Sequence, residues 1–480
     1  MFTVPLSTNC CIVGGGPAGI MLGYLLARRG VEVTVLEKHP DFNRDFRGDT
    51  VHPSTLDVLH ELGLLDRFLK IPHQTVEAVS GVYGDYPFQA ADFTRVPARC
   101  RYAVLMPQWD LLNFLSDEAS CYPNFKLLMR HEAINVIRPD SRVTGVVVRG
   151  PNQTDFELNA TLVVGCDGRH SATRTATGLE LIETGVPIDV LWFRISRRPS
   201  DPEDVLGNVN YGRVLILINR GDYFQAGLVI AKGSYPDIRE RGLDEFRQTI
   251  SRIAPYLAGC VDELREWNQI KILTVQINRL REWWRPGLLC IGDAAHAMSP
   301  VGGVGINLAI QDAVAAANLL AVPLLQGRVT PRLLAAVQAR REFPARVTQA
   351  VQARAHGLLE KVFRQPGPAQ APWQLKLAVR IPGIHRALGH VLGIGVRPEH
   401  VEKSGIPRSV RRLSLFSAAA GAAIGFGAAF ALIRRRRAAA SERRRGGALE
   451  HPRHSPAAAL AHEQIQAADR RSAYGMIIPI

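Results

Sequence analysis

Over roughly the first forty residues the spacing of apolar positions changes twice. Residues 10–13 form a short apolar run, within a strand from Asn9, that leads straight into Gly14-Gly15-Gly16-Pro17-Ala18-Gly19. Beyond it Ile20, Leu22, Leu25 and Leu26 recur at helical spacing up to Gly30, a residue type that ends helices. Residues 31–36 then alternate β-branched side chains and finish at Glu37. The pattern predicts strand, glycine turn, helix, strand.

Leu56, Val58, Leu59, Leu62, Leu65 and Phe68 predict one helix over 53–69. Residues 72–103 are strand-like but broken by Pro and Gly, and 108–120 return to a helical pattern. Strands follow through Val163 and Val164. Residues 182–275 read largely as strands, with one helical insert near 243–258. A buried strand at 287–291, a glycine-rich loop and a long apolar helix over 306–320 come next, and 335–395 look helical. There is no repeat at solenoid or propeller periods. The order predicts an α/β fold in which a nucleotide-binding domain is interrupted by a mainly antiparallel sheet.

Length and charge narrow the picture. A chain of 480 residues suits two intimate domains and a tail. The net charge is +14, but residues 434–480 alone hold ten arginines and four acids. The remainder is spread without a basic stripe interleaved with aromatics, which excludes a nucleic-acid partner. The seven cysteines are dispersed, with no CxxC pair or Cys/His set at zinc spacing, so no metal is expected and a reducing, cytoplasmic setting is. The first apolar run is too short for a signal peptide. No GxSxG elbow supports hydrolase chemistry.

Gly14, Gly16 and Gly19 form GxGxxG between a strand and a helix. The first allows a tight turn, the second lets backbone approach a pyrophosphate, and the third lets helix and strand pack closely. The helix N-terminus offers free N–H groups to phosphates. Glu37, at the end of the second strand, can accept hydrogen bonds from ribose hydroxyls, which favours FAD or NAD over NADP. Gly165-Cys166-Asp167-Gly168-Arg169 follows the strand 161–164, and Gly292-Asp293-Ala294-Ala295-His296 follows 287–291. Each puts a carboxylate at the carboxyl end of a strand. A long, extended dinucleotide such as FAD needs contacts this far apart; a simple NAD domain does not.

With these three motifs in this order the chain resembles the class A flavoprotein monooxygenases, the para-hydroxybenzoate hydroxylase-like family, over about residues 8–350. The resemblance implies a Rossmann-like FAD-binding domain interrupted by an antiparallel substrate sheet, with C-terminal helices. It implies that Glu37 binds the adenosine ribose, Asp293 the ribityl chain, and Asp167 both FAD and the nicotinamide donor. The loop from Pro300 to Asn307, with Gly303, Gly305 and Ile306, lines the isoalloxazine beside the Gly292 turn. Arg47 sits near flavin and nicotinamide, and Gln108 contacts the cofactor. Implied domain limits are 1–71, 104–180 and 276–365 for FAD binding, 72–103 and 181–275 for substrate, and 366–412 for a helical extension.

The activity so implied is hydroxylation of an aromatic, phenolic or polyketide-like small molecule, with NADH or NADPH and O₂, through a flavin C4a-hydroperoxide. FAD would be held non-covalently, and Arg47 and Pro300 would be the residues nearest the chemistry. The alternatives are another FAD-dependent oxidoreductase (epoxidase, oxidative decarboxylase or reductase) and a non-catalytic, membrane-tethered flavoprotein. The WxWxIP motif of related halogenases is absent.

Other residues have plainer readings. His296 is expected to be a satisfied loop residue rather than an acid–base group. His52 is a candidate for the border of the active site. Trp192, Tyr211 and Tyr223 lie in the region expected to roof the substrate, though packing suffices for each. Trp283 and Trp284 are expected to pack. Residues 413–433 are uncharged and flanked by arginines, long enough for a bilayer span and carrying Gly421 and Gly425 at GxxxG spacing. Their many alanines suit equally a helix docked on protein. Residues 434–480 are expected to be a basic disordered tail. The family's soluble members lack such a tail.

Overall fold

The computed structural model describes residues 7–43, 50–202, 207–365 and 367–402. Arg47 and the segments 413–433 and 434–480 lie outside the described residues. In the first sheet, Ser7–Val13 is flanked by Val33–Glu37 and Asp155–Gly165, both parallel to it. Phe125–Met129 and Leu288–Cys290 extend this parallel arrangement on either side. Parallel strands are covered on both faces, which is why residues 10–13, 162–164 and 288–290 are apolar runs rather than alternating ones. Cys10, Cys11 and Ile12 are fully buried. The register sets Val13 beside Leu36 and Gly165, and Gly165 beside Cys290. The three motif-bearing turns and Glu37 therefore leave one carboxyl edge, where open α/β sheets bind ligands.

Helix α1 (Pro17–Arg28) buries an unbroken run from Ala18 to Ala27. The helix expected over 53–69 is two. Helix α2 (Pro53–Glu61) ends before Gly63, whose φ of +74° stops it, and Leu65–Phe68 forms a separate turn. Helix α3 (Gln108–Ser120) matches its expected span.

The second sheet runs in the order Lys271–Leu273, Ile188–Ser196, Tyr223–Ala231, Arg213–Asn219, Gly207–Asn210, Ala78–Tyr83, Tyr86–Asp92. Its alternation feeds two cores. Leu191, Phe193, Leu215 and Leu217 pack on Phe246 and Ile250 of helix α4 (Leu243–Ile253). On the opposite face Val190, Trp192, Val214 and Val229 meet Leu105 and Val362.

Helix α5 (Gly305–Leu325) is long and apolar enough to cross a bilayer, yet it is largely buried and serves as a core helix. It starts one residue before the expected Ile306 and runs five beyond Leu320. The helical stretch expected over 335–395 comes in three pieces: α6 (Pro331–Phe363), α7 (Trp373–Ala378) and α8 (Ile384–Gly393). Pro368 and Pro372 lie in the first gap; Pro382, and Gly383 at φ +82°, in the second.

Candidate active site

The three glycines of the first turn do different work. Gly14 has φ +105°, and a Cβ there would strike the carbonyl of Cys166. A Cβ on Gly19 would strike the carbonyl of Gly14. Gly16 has an ordinary φ of −75°, and a Cβ on it would meet nothing within 4 Å. Gly14 and Gly19 are thus fixed by the fold, whereas Gly16 keeps space open in front of α1. No side chain caps α1, and Pro17 stands in its first turn. The unpaired N–H groups and the helix dipole suit this space to an anion.

Glu37 is buried beneath that turn. Its Oε2 accepts from the Gly15 N–H and its Oε1 from the His39 N–H, both at 3.0 Å. It therefore braces the loop that the phosphates would face. Asp167 does likewise at the second motif, accepting from the N–H and hydroxyl of Thr173 at 3.0 Å. Gly168, at φ +81°, opens onto free space.

The third motif is tied to both others. Asp293 Oδ2 accepts from Arg169 Nε at 3.2 Å, joining the two aspartate loops, while Arg169 also donates to the Thr274 carbonyl. Among the described residues Asp293 Oδ1 has no protein donor, and the side chain is about one-third exposed. Gly292, at φ +60°, lies so close to Ala18 that a Cβ would be 3.1 Å from it. Its N–H donates to Asp312 at 3.1 Å.

Pro300 to Asn307 make a tight loop, with the Gly303 N–H donating to the Pro300 carbonyl at 3.0 Å. Gly302 and Gly303 have φ of +84° and +62°. Gly305 opens onto free space at the uncapped start of α5, and Ile306 is buried beside it. Asn307 Oδ1 accepts from Ser54 and Thr55 at 2.9 and 2.6 Å, which pins α5 to α2. Gln108 is half-buried at the start of α3, with no side-chain hydrogen bond to the described residues. Open glycines, uncapped helix starts and a free carboxylate oxygen thus fit an extended dinucleotide. Among the described residues no cluster suits a metal ion.

His52 is buried and touches this loop, its Nε2–H donating to the Gly302 carbonyl at 3.0 Å. Burial pushes its imidazole down to about 4, partly offset by the Gly302 and Gly303 backbone, so it is neutral near pH 7. His296 is not in an open loop; it sits buried in a two-residue strand, with its ring 4.9 Å from that of Trp283. Trp283 packs as expected, and Trp284 is half-buried. Trp192 lies on the inner sheet face against Gly227. Tyr211, however, is exposed in a turn at φ +48°, and Tyr223 is stacked under Arg194 at 3.9 Å, so neither packs in the core. Burial pushes the Cys11 thiol up to about 12, and raises those of Cys10, Cys166 and Cys290 as well; these are inert groups.

Several supporting residues escaped the sequence. On α6, Gln349 Nε2 donates to the carbonyls of Asn278 and Ala297, and Gln352 holds both the N–H and the carbonyl of Ser299. His356 Nε2 meets the Ser299 hydroxyl at 2.8 Å. Arg341 donates to Asp312 at 2.8 Å and reaches Glu399, itself buried against Arg340. Asp312 is the sole charged residue of α5, a signal that could have been read.

A family model described as FAD binding domain matches residues 7–352. The 6-methylpretetramide 4-monooxygenase of Streptomyces rimosus is 32% identical over 340 residues, covering 70% of this chain and 80% of its own. Rifampicin monooxygenase of Streptomyces venezuelae is 31% identical, covering 63% of this chain and 61% of its own. Among solved structures, PqsL of Pseudomonas aeruginosa, a probable FAD-dependent monooxygenase, superposes with a TM-score of 0.64 at 22% identity, covering 78% and 99%. OxyS anhydrotetracycline hydroxylase of Streptomyces rimosus gives 0.64 at 22%, covering 81% and 76%. At that identity the two structures speak for the fold.

Proposed function

The chain belongs to the FAD binding domain family, and from that premise we propose a single-component monooxygenase that hydroxylates an aromatic, phenolic or polyketide-like molecule with NADH or NADPH and O₂. It is an FAD-dependent oxidoreductase, as its monooxygenase relatives are. FAD, when bound, supplies the electron transfer and oxygen activation. The chain supplies binding, orientation and shielding. Gly16 and the start of α1 hold the pyrophosphate, and Glu37 the adenosine ribose. Asp293 Oδ1 takes a ribityl hydroxyl. Asp167 shapes the adjoining turn for the donor, and Gln108 offers its free amide. Backbone from Pro300 to Gly305 passes the flat ring, and the uncapped N-terminus of α5 stabilises negative charge there.

Val190, Trp192 and Val229 form the apolar wall against which an aromatic substrate is kept from water. On this reading the second sheet, 72–103 with 181–275, is the substrate domain. Arg47 positions the nicotinamide. Residues 413–433 contact a membrane, and the body is cytoplasmic.

One observation carries the reading: Gly16 and Gly168 are open at the edge where Asp293 has a free oxygen, while Gly14, Gly19 and Gly292 are closed by packing. The test begins with the absorbance spectrum of the purified full chain. NADH or NADPH is then added anaerobically, and O₂ with a panel of phenols and aromatic polyketides follows. A yellow protein that bleaches, reoxidises and yields a product one oxygen heavier supports the reading. A protein that cannot be loaded with FAD, or that only oxidises the nicotinamide with every substrate, refutes it.

A further inference from the structure

We propose that the surface carried by α7 and the bend after it docks on an anionic phospholipid bilayer. Trp373, Leu377 and Ile381 are 58%, 54% and 50% exposed. Trp373 and Leu377 stand one turn apart on α7, so they share a face, and Ile381 follows four residues on. Trp373 and Leu377 form one apolar feature on α7, and Ile381, in the bend beyond it, is exposed as well.

Along this stretch of chain the charge has one sign, and the nearby acid, Asp92 on the adjoining strand, faces Arg386. No Asp or Glu occurs from residue 361 to 398, while Lys361, Arg364, Lys376, Arg380, Arg386 and Arg397 all do. Lys376, Arg380 and Arg386 are exposed. Lys376 reaches over the Tyr86 ring at 5.3 Å. Exposed apolar side chains interspersed along the chain with exposed cations match the boundary of an anionic bilayer. The indole settles at headgroup level, Leu and Ile enter the acyl boundary, and the cations meet phosphates.

The same charges disfavour other occupants. A second copy in a two-fold contact would set cation against cation. The uncharged segment 413–433 offers those cations no counter-charge. Where 413–433 also inserts, the two contacts make the pair of signals that stable anchoring needs.

The test uses the full chain and vesicles of phosphatidylcholine, alone or mixed with phosphatidylglycerol, with brominated acyl chains that quench nearby indoles. Five of the six tryptophans are buried or half-buried, so the difference between wild type and Trp373→Phe isolates the Trp373 ring. The expected result is quenching by the anionic vesicles that disappears in Trp373→Phe and falls with added salt. Lys376→Gln and Arg380→Gln should each weaken it about five-fold. Leu377→Glu with Ile381→Glu should abolish it, while the flavin spectrum and unfolding midpoint show that the fold persists. Vesicle binding without Trp373 quenching means that the tail alone binds, and overturns the proposal. Equal quenching by neutral vesicles overturns the anionic assignment. Loss of self-association in the double variant, with no vesicle quenching, assigns the face to a second copy instead.

Discussion

His296 Nε2 donates to Asp312 Oδ2 at 2.6 Å, with both side chains sealed from water. The same carboxylate takes Arg341 Nε on its other oxygen and the Gly292 N–H of the third motif's turn. One residue of α5 thus ties the third motif to α6. Burial by itself would raise the Asp312 pKa; the charges and hydrogen bonds of His296 and Arg341 override it and hold it below the usual carboxylate range.

Asp312→Asn should therefore be costly. It leaves Arg341 buried with a weakened partner set, a loss of about 3–5 kcal/mol for breaking a buried pair. Chemical unfolding near pH 7 measures it. Because the folded pKa is depressed, the contribution is fully present above the unfolded value of 3.8 and is lost as pH falls through the lower folded value. The wild type and variant should converge only in that acid range. A constant gap down through it would contradict the pairing.

His52 gives a second pH signature with a different window. Its ring stays neutral in the folded protein down to about 4, whereas in the unfolded chain it takes a proton near 6.5. Between those values the unfolded state holds more protons, so stability should drop as pH falls from 6.5 to 4, by about 3 kcal/mol from this group. His52→Gln should flatten that part of the profile. His356 and His390, also lowered by burial, remain in both proteins and cancel in the comparison. Parallel profiles would show that His52 is not the group concerned.

The turn glycines separate fold from ligand. Gly16→Ala places a methyl in open space at a permitted φ, so stability should shift by no more than about 1 kcal/mol. That methyl occupies the ground assigned to the pyrophosphate, and FAD affinity should fall by about ten-fold or more. Gly19→Ala drives its methyl into the Gly14 carbonyl and should destabilise the apoprotein itself. Apoprotein melting and flavin titration distinguish the pair; Gly16→Ala with unchanged FAD affinity would move the pyrophosphate elsewhere.

What could be read in the sequence was what local periodicity encodes. The strand Ser7–Val13, the turn, α1 and Glu37 were legible because their spacing and their chemistry lie within one short segment. The break at Gly63 was not, since Leu62 and Leu65 keep helical spacing across it. Tyr211 reads as a strand residue, yet Asn210 and Gly212 around it make a turn. The polar residues of α6 were illegible for a further reason. Gln349 and Gln352 look like a solvated face, but all but one of their partners are backbone groups 51 to 71 residues away, which only the tertiary fold brings beside them.

Gln352 therefore offers the sharpest test of how the loop around Pro300 is held. It accepts from the Ser299 N–H at 3.0 Å and donates to the carbonyls of Ser299 and Val301 at 2.9 Å, so it grips the chain on both sides of Pro300. Gln352→Leu keeps the bulk but strands those buried groups, each at about 1–3 kcal/mol. Because the loop can relieve this by shifting, part of the loss should appear as displacement of Pro300 from its position. FAD binding should then weaken by about ten-fold, with a changed flavin emission and reduction potential in the loaded protein. Gln352→Glu, which keeps an acceptor for Ser299 but no donor, should fall between the two. A core residue with no part in positioning the loop would lower the melting temperature and leave flavin affinity, emission and potential where they were, and that outcome would refute the assignment.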